Sequence, residues 1–346
     1  MKRLAILDIG KLEIQEYCEE VKVKPNMVKV KVNACGVCGS DLSLLQGKRD
    51  LKNEHYFGHE FTGIVTEIGD GVTGLELGMR VTSELVKTCG QCWNCRNGSP
   101  NCCKSLNEVL FPGGFASETI VLHSDSYKYL SILPTSIDDI MGTLVEPTNC
   151  ALRVVKRSKI QPGQSVLVIG LGSMGIIASQ LLENFGAGKI IGMDKNKSRL
   201  ETVKKSGLID VINRNDLDWL EQLKNYTGTR GVDVVIEATG FPAAIGDAFL
   251  AARVGGLISV LSVYHGKANN LDILPIMRKE LTIVGAKGPY PDQKSDDTSV
   301  TIGELQKIQE KLQKIIRIYD FKDSFKAFDD AIKGISIKSV ISFKNM

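Results

Sequence analysis

Residues 165–175 read SVLVIGLGSMG, so a short apolar run passes directly into Gly-x-Gly-x-x-Gly. A run of that kind suits a strand buried on both faces of a parallel sheet, and the next stretch, Met174–Asn184, is helical in pattern. In such a turn Gly170 permits the sharp reversal, Gly172 lets backbone approach a pyrophosphate, and Gly175 lets helix and strand pack closely. The helix start at Ser173 and Met174 offers unpaired N–H groups and the positive end of a dipole to phosphate. A glycine-rich turn without a ligand would explain the hexapeptide alone. Asp194 weighs against that reading: it ends the next strand, about twenty residues on, where a carboxylate accepts from the adenosine ribose hydroxyls. It also favours NAD, because a carboxylate repels the 2′-phosphate of NADP. Lys195, Lys197 and Arg199 are the counterweight, and Arg199 joins the candidate cofactor-binding residues.

The surrounding chain continues the pattern. Strand-like Lys189–Met193, Asp210–Ile212, Val232–Ala238, Leu257–Val263 and Thr282–Gly285 alternate with helix-like Ser198–Lys205, Asp218–Tyr226 and Ala243–Ala252. That alternation predicts an α/β, doubly wound parallel sheet of the Rossmann kind. The tail reads as helices Ile302–Ile316 and Ser324–Lys333 and a strand Ser339–Phe343. The first 150 residues differ. Val28–Val32 alternates with period two, Thr62–Ile68 and Ala116–Val121 follow, and helical signal is scarce, so an irregular, mostly antiparallel domain is expected. At 346 residues two domains are the natural prior.

A net charge of +3 with scattered lysines gives no reason to expect nucleic acid or an acidic membrane surface as partner. No apolar run is long enough to span a bilayer, and MKRLAILDIGKLEI reads as a first strand rather than an export signal. Of nine cysteines, five crowd into fifteen residues. Clustering without an export signal indicates metal in a cytoplasmic protein rather than a disulfide framework. Cys89, Cys92, Cys95 and Cys103 have the spacing of a tetrahedral four-sulfur zinc site, closed and therefore structural. Cys102 could stand in for Cys103, and the spacing alone leaves that choice open.

A second donor set lies upstream, in Gly36-Val37-Cys38-Gly39-Ser40-Asp41 and Gly58-His59-Glu60. One thiolate, one imidazole and a carboxylate would hold zinc yet leave a position for substrate, making the metal a Lewis acid. A buried cysteine and a hydrogen-bonded histidine are the ordinary readings of each residue taken singly.

Together, GVCGSD and GHE, the cysteine lobe, GLGSMG, Gly113-Gly114-Phe115-Ala116 and the ending FKAFDDAIKG resemble the zinc-containing medium-chain dehydrogenase/reductase family over essentially the whole chain. Leu144-Val145-Glu146-Pro147 is similar to its sorbitol and polyol dehydrogenase branch, where other alcohol dehydrogenases carry a second zinc cysteine. The resemblance implies a GroES-like catalytic domain, residues 1–152, with 290–346 folding back onto it, and a dinucleotide-binding Rossmann domain, 153–289, with the active-site cleft between. It implies a catalytic zinc at Cys38, His59 and Glu60, with Glu146 bound directly or through water, and Ser40 as the first proton shuttle. A structural zinc, NAD, a small alcohol or ketone substrate and a homodimer or homotetramer complete the expectation.

The chain departs from the family in informative places. A relay histidine of several relatives is replaced by Ser43, and an aromatic of polyol dehydrogenases by Leu44. Their substrate-binding arginine falls on Gly288, next to Lys287, which tells against sorbitol itself. Lys48, Arg49, Lys52 and His55 could bind a substrate phosphate, or could form a solvated loop. The expected reaction is hydride transfer between a secondary alcohol, a polyol or sugar-alcohol phosphate, and NAD, with threonine, a cyclitol or a simple alcohol as alternative substrates.

Overall fold

The computed structural model describes residues 2–16, 22–49, 57–83, 88–105, 114–115, 119–122, 130–228, 230–264, 266–288 and 297–344. Cys18, Lys52, His55, Gly113 and residues 116–118 lie outside these. The chain divides into two compact units: Met1–Glu146 with Pro289–Lys307 and Ile316–Met346, and Pro147–Gly288 with Ile308–Ile315.

In the first unit β1 (Lys2–Asp8) and β2 (Lys11–Glu16) form a two-stranded antiparallel ribbon. The larger sheet contains β3 (Val28–Gly36), β4 (Glu60–Ile68), β5 (Arg80–Ser83), β6 (Thr119–Leu122) and β7 (Leu130–Ile132). Its order is β14-β15-β3-β4-β5-β7, with β6 on β3, where β14 is Ile316–Asp320 and β15 is Lys338–Ser342. All its pairings are antiparallel except β14 with β15, close to the mostly antiparallel expectation. The VKVKV alternation explains β3: Val28, Val30 and Val32 are buried while Lys31 faces solvent. They pack into a core with Phe57, Phe115 and Phe328, whose ring centroids are 5.1 Å (57–115) and 5.7 Å (115–328) apart. Each such buried aromatic contributes roughly 1.5–3 kcal/mol. Short helices interrupt the sheet: α1 (Gly39–Leu45), α2 (Trp93–Arg96) and α3 (Asp139–Gly142). The next helix, α4 (Val145–Ser158), contains the residue where the chain passes from one unit to the other.

The second unit is a six-stranded, wholly parallel sheet of order β10-β9-β8-β11-β12-β13. Its strands are β8 (Ser165–Ile169), β9 (Lys189–Asp194), β10 (Asp210–Asn213), β11 (Val232–Glu237), β12 (Ala252–Val260) and β13 (Thr282–Gly285). Chain order runs outward in both directions from β8, so the switch point of a doubly wound sheet lies between β8 and β11. The connecting helices are α5 (Ser173–Asn184), α6 (Lys197–Ser206), α7 (Trp219–Thr227), α8 (Ala244–Ala251) and α9 (Leu274–Arg278). Every residue of β8 and β11 is buried, as an apolar strand covered on both faces requires.

Three sequence expectations shift. The helix expected over Ile302–Ile316 is α10 (Asp297–Gln313), and Ile316 opens β14 instead. Ala252 starts a strand rather than ending a helix, and α9, with Pro275 in its first turn, had no counterpart in the reading. The last helix, α11 (Ser324–Ile332), matches to within one residue. No described helix is long and apolar enough to cross a membrane.

Candidate active site and cofactor loop

The mixed-ligand cluster is built by strand register and one helix cap. In the β3–β4 pairing Gly36 lies opposite Glu60, so the loop leaving β3 meets the residues entering β4. Cys38 caps α1, and its backbone N–H donates to Asp41 Oδ2 at 2.9 Å. The other Asp41 oxygen accepts from Gly58 N–H at 3.3 Å and lies 3.8 Å from His59 Nδ1. One buried carboxylate thus ties both ligand-bearing segments together, as groups behind a metal site commonly do. The donor atoms of Cys38, His59 and Glu60 all lie within 4.8 Å of one another. Glu146, buried in the first turn of α4, is outside that group yet close enough to act on His59 electrostatically. Burial opposes the charged imidazole, but Cys38, Asp41 and Glu146 outweigh it and hold its pKa well above the ordinary value. Such an anion-rich pocket attracts positive charge, and its sulfur, nitrogen and carboxylate donors suit zinc.

Glu60 has a second partner that the sequence reading did not single out. Lys338, on β15, forms an ion pair with Glu60 Oε2; the lysine side chain is 0% exposed and the glutamate 2%. Lys338 Nζ also lies 3.5 Å from Val37 O. Burial works against its ammonium form, yet Glu60, Cys38 and Glu146 together raise its pKa above the usual lysine value. Gly36 makes room for the pair, since a Cβ there would overlap Glu60 and sit 3.0 Å from Lys338 Nζ. The signal for Asp41 was its spacing from Cys38, that of a capping box. For Lys338 it was only a lysine at the start of a short strand, next to Ser339.

Ser40 is half-buried on α1. Ser43, at the place of the relay histidine of relatives, is buried and donates to Gly39 O at 2.8 Å. Leu44 packs against the core of the unit. Lys48 and Arg49 are exposed beyond the end of α1.

In the cysteine lobe, Sγ separations are 3.4 Å (Cys89–Cys103), 3.5 Å (Cys92–Cys95) and 4.0 Å (Cys89–Cys95 and Cys92–Cys103). Tetrahedral zinc with Zn–S near 2.3 Å spaces its sulfurs about 3.8 Å apart, whereas a disulfide needs about 2 Å. Backbone N–H groups of Cys89 and Cys92 point at Cys103 Sγ and Cys89 Sγ, each at 3.3 Å. Those amide contacts stabilise thiolates; hydrogen bonds from Lys104 and Cys95 backbone bring Cys92 down to about 6. Cys102, the alternative fourth ligand, is exposed and outside the cluster, while Cys103 is buried within it.

The glycine loop follows β8 as expected. Gly170 has φ +98°, and a Cβ on Gly175 would overlap Gly170 O, so helix and strand meet at glycine-only distance. Gly172 caps α5 without a side-chain hydrogen bond, and a Cβ there would meet nothing within 4 Å. The start of α5 is therefore open beside Gly172, which leaves room for a pyrophosphate to approach. Asp194 accepts from Leu171 N and Asn196 N, each at 2.8 Å, which fixes it beside the loop. Arg199 Nη1 lies 3.7 Å from Asp194, and its Nε is buried without a hydrogen-bond partner.

Comparison with known proteins identifies the family. Residues 24–131 match the family model "Alcohol dehydrogenase GroES-like domain" and residues 173–299 match "Zinc-binding dehydrogenase". A sorbitol dehydrogenase of Bacillus subtilis is 33% identical over 75% of this chain and 74% of its own. An L-threonine 3-dehydrogenase of Pyrococcus horikoshii is 34% identical over 78% of each chain. The crystal structure of a zinc-binding dehydrogenase from Sinorhizobium meliloti, bound to NADP, superposes with a TM-score of 0.85 at 25% identity, covering 99% of this chain and 98% of that one. The chain belongs to the zinc-containing medium-chain alcohol/polyol dehydrogenase family and is an oxidoreductase that acts on CH–OH groups with zinc and a nicotinamide dinucleotide.

Proposed function

We propose that the enzyme oxidises a secondary alcohol of the polyol type, free or phosphorylated, with NAD as acceptor. Cys38, His59 and Glu60 would hold the catalytic zinc, with Glu146 directly or through water, and Cys89, Cys92, Cys95 and Cys103 would hold a structural one. The observation that carries the reading is the Cys38–His59–Glu60 cluster, with its donors inside 4.8 Å and Glu146 beside it. Bound there, a zinc ion would supply Lewis acidity to a substrate hydroxyl, and a nicotinamide dinucleotide would supply the hydride acceptor. Ser40, half-exposed on α1, carries the hydroxyl proton outward to water. Ser43 is no second relay, because its proton is given to Gly39 O. Gly170, Gly172, Ser173, Met174 and Gly175 seat the pyrophosphate; Asp194 and Arg199 face the adenosine ribose.

Sorbitol and threonine, the substrates in the names of two relatives, both carry secondary hydroxyls, which supports that class. Gly288 narrows it. A Cβ there would lie 2.6 Å from Cys150 Cα and 2.8 Å from its Sγ, so no arginine anchor for a polyol fits. The exposed Lys48 and Arg49 leave a phosphate as the substitute anchor.

The test is NAD reduction across polyols, sugar-alcohol phosphates, threonine and simple alcohols, beside metal analysis. Two zincs per chain and turnover of polyols or their phosphates are expected; full activity with only the structural zinc would refute the catalytic assignment. We further propose a homodimer or homotetramer working in the cytoplasm. The edge strand β13 exposes Ile283, and Ile273 and Met277 beside it are 65% and 68% exposed, an apolar edge of the kind that a second copy covers. None of the eight described cysteines forms a disulfide, which suits a reducing compartment.

A further inference from the structure

Outside the metal clusters, the described carboxylate most completely enclosed in the nucleotide-binding unit is Glu237, which is 0% exposed at the carboxyl end of β11. Its Oε1 accepts from the N–H of Thr239 at 2.8 Å and from the Thr239 hydroxyl. Its Oε2 accepts from the Tyr264 hydroxyl at 2.6 Å. Thr239 belongs to the loop after β11 and Tyr264 to the loop after β12, so this carboxylate joins two loops. Ser262 adds a parallel tie, accepting from Gly240 N–H at 2.8 Å. The β11 loop also abuts the glycine loop: Ala238 N–H donates to Ile169 O at 2.8 Å, and a Cβ on Gly170 would lie 2.7 Å from Ala238 O.

A dinucleotide lies across the carboxyl ends of such a sheet at the switch point, one mononucleotide on each half. Asp194 ends β9, so the adenosine side lies over β8 and β9. The opposite half falls to the loops after β11 and β12. We infer that Glu237 and Tyr264 are positioning residues, a clamp built on a buried carboxylate that holds these two loops as the seat of the nicotinamide half. All its bonds come from neutral donors, so it sets backbone geometry without closing a salt bridge. The inference rests on the proposed use of NAD.

The test titrates wild-type, Tyr264→Phe and Glu237→Gln proteins, zinc-loaded, with NADH by its fluorescence and with ADP by calorimetry, alongside thermal unfolding. ADP occupies only the glycine loop and the Asp194 side. Tyr264→Phe removes one donor to a buried carboxylate and should raise the NADH Kd about tenfold, while the ADP Kd changes by less than about twofold. Glu237→Gln should stay within about threefold of wild type for NADH, because the amide accepts from Thr239 and donates to the Tyr264 oxygen. Unchanged NADH binding in Tyr264→Phe overturns the clamp and leaves the proposed function standing. A parallel loss of ADP and NADH overturns it too, since that reports general loosening. So does a Glu237→Gln defect as large as that of Tyr264→Phe. Wild-type protein that binds ADP but no nicotinamide dinucleotide removes both the clamp and the reading beneath it.

Discussion

Replacing Lys338 by methionine, which keeps the length of the stem, isolates the buried ion pair behind the Cys38–His59–Glu60 cluster. Lys338 is 0% exposed and Glu60 2%, so no water replaces the lost ammonium around the carboxylate. Removing one partner of a pair this buried costs about 3–5 kcal/mol. For a unit of this size that corresponds to a fall in Tm of roughly 6–20 °C. Urea unfolding of chelator-treated protein measures the loss directly. Because Cys38 and Glu146 also act on Lys338, its removal leaves more than one negative charge unbalanced, and saturating zinc should restore part of the stability. The decisive control is the double variant Lys338→Met with Glu60→Gln, in which no charge is stranded. It should recover most of the loss. If it is no more stable than Lys338→Met alone, the penalty comes from packing and the electrostatic reasoning fails.

Three further substitutions test the cofactor loop, the cysteine lobe and a buried carboxylate. Gly172→Ala places its methyl in open space at a φ of −71°, so unfolding should move by less than about 1 kcal/mol, while NADH binding weakens because the methyl stands where the phosphate must approach; equal binding by calorimetry would contradict the loop assignment. Cys103→Ser should drop zinc from two to one per chain by metal analysis, whereas Cys102→Ser should keep both; the reverse order would move the fourth ligand to Cys102. Asp233 is held at about 2: burial opposes its charge, but Ser165 and Arg253 outweigh burial. A carboxylate lowered in the folded state stabilises above its unfolded pKa, near 4, and that contribution, about 2 kcal/mol, fades as pH falls from 4 to 2. Asp233→Asn should therefore flatten the urea midpoint against pH in that window, and a slope equal to wild type would exclude the assignment.

What was legible in the sequence was what is local in the chain. The glycine loop, the cysteine lobe and the alternating strands are each written in a few consecutive residues whose spacing is the geometry. Cys38 and His59 were separable from ordinary buried residues only beside the dinucleotide loop, because neither type alone implies metal. The choice between Cys103 and Cys102 was hidden, since adjacent residues in a turn differ in direction and not in spacing. The boundary between α10 and β14 was missed because Ile315 and Ile316 continue an apolar periodicity that helix and strand share at their junction. Gly288 read as a lost arginine; its reason, the backbone of Cys150 that a side chain would overlap, is written 138 residues earlier in the chain. Long-range contacts leave no periodic trace.

The Glu60–Lys338 pair also sets an order of events during synthesis. Its members are 278 residues apart in sequence, and at roughly 5–20 residues per second the lysine emerges between about a quarter of a minute and a minute after the glutamate. Until then β3 lacks β15 on its flank, and Glu60 lacks its cation. The nascent sheet can assemble from β3 and β4, but the carboxylate must stay hydrated or find a proton or a metal ion meanwhile. Long-separation contacts of this kind slow folding, so the Cys38–His59–Glu60 cluster is completed only once β15 has been made, and zinc that arrives earlier meets a cluster whose charge is not yet balanced.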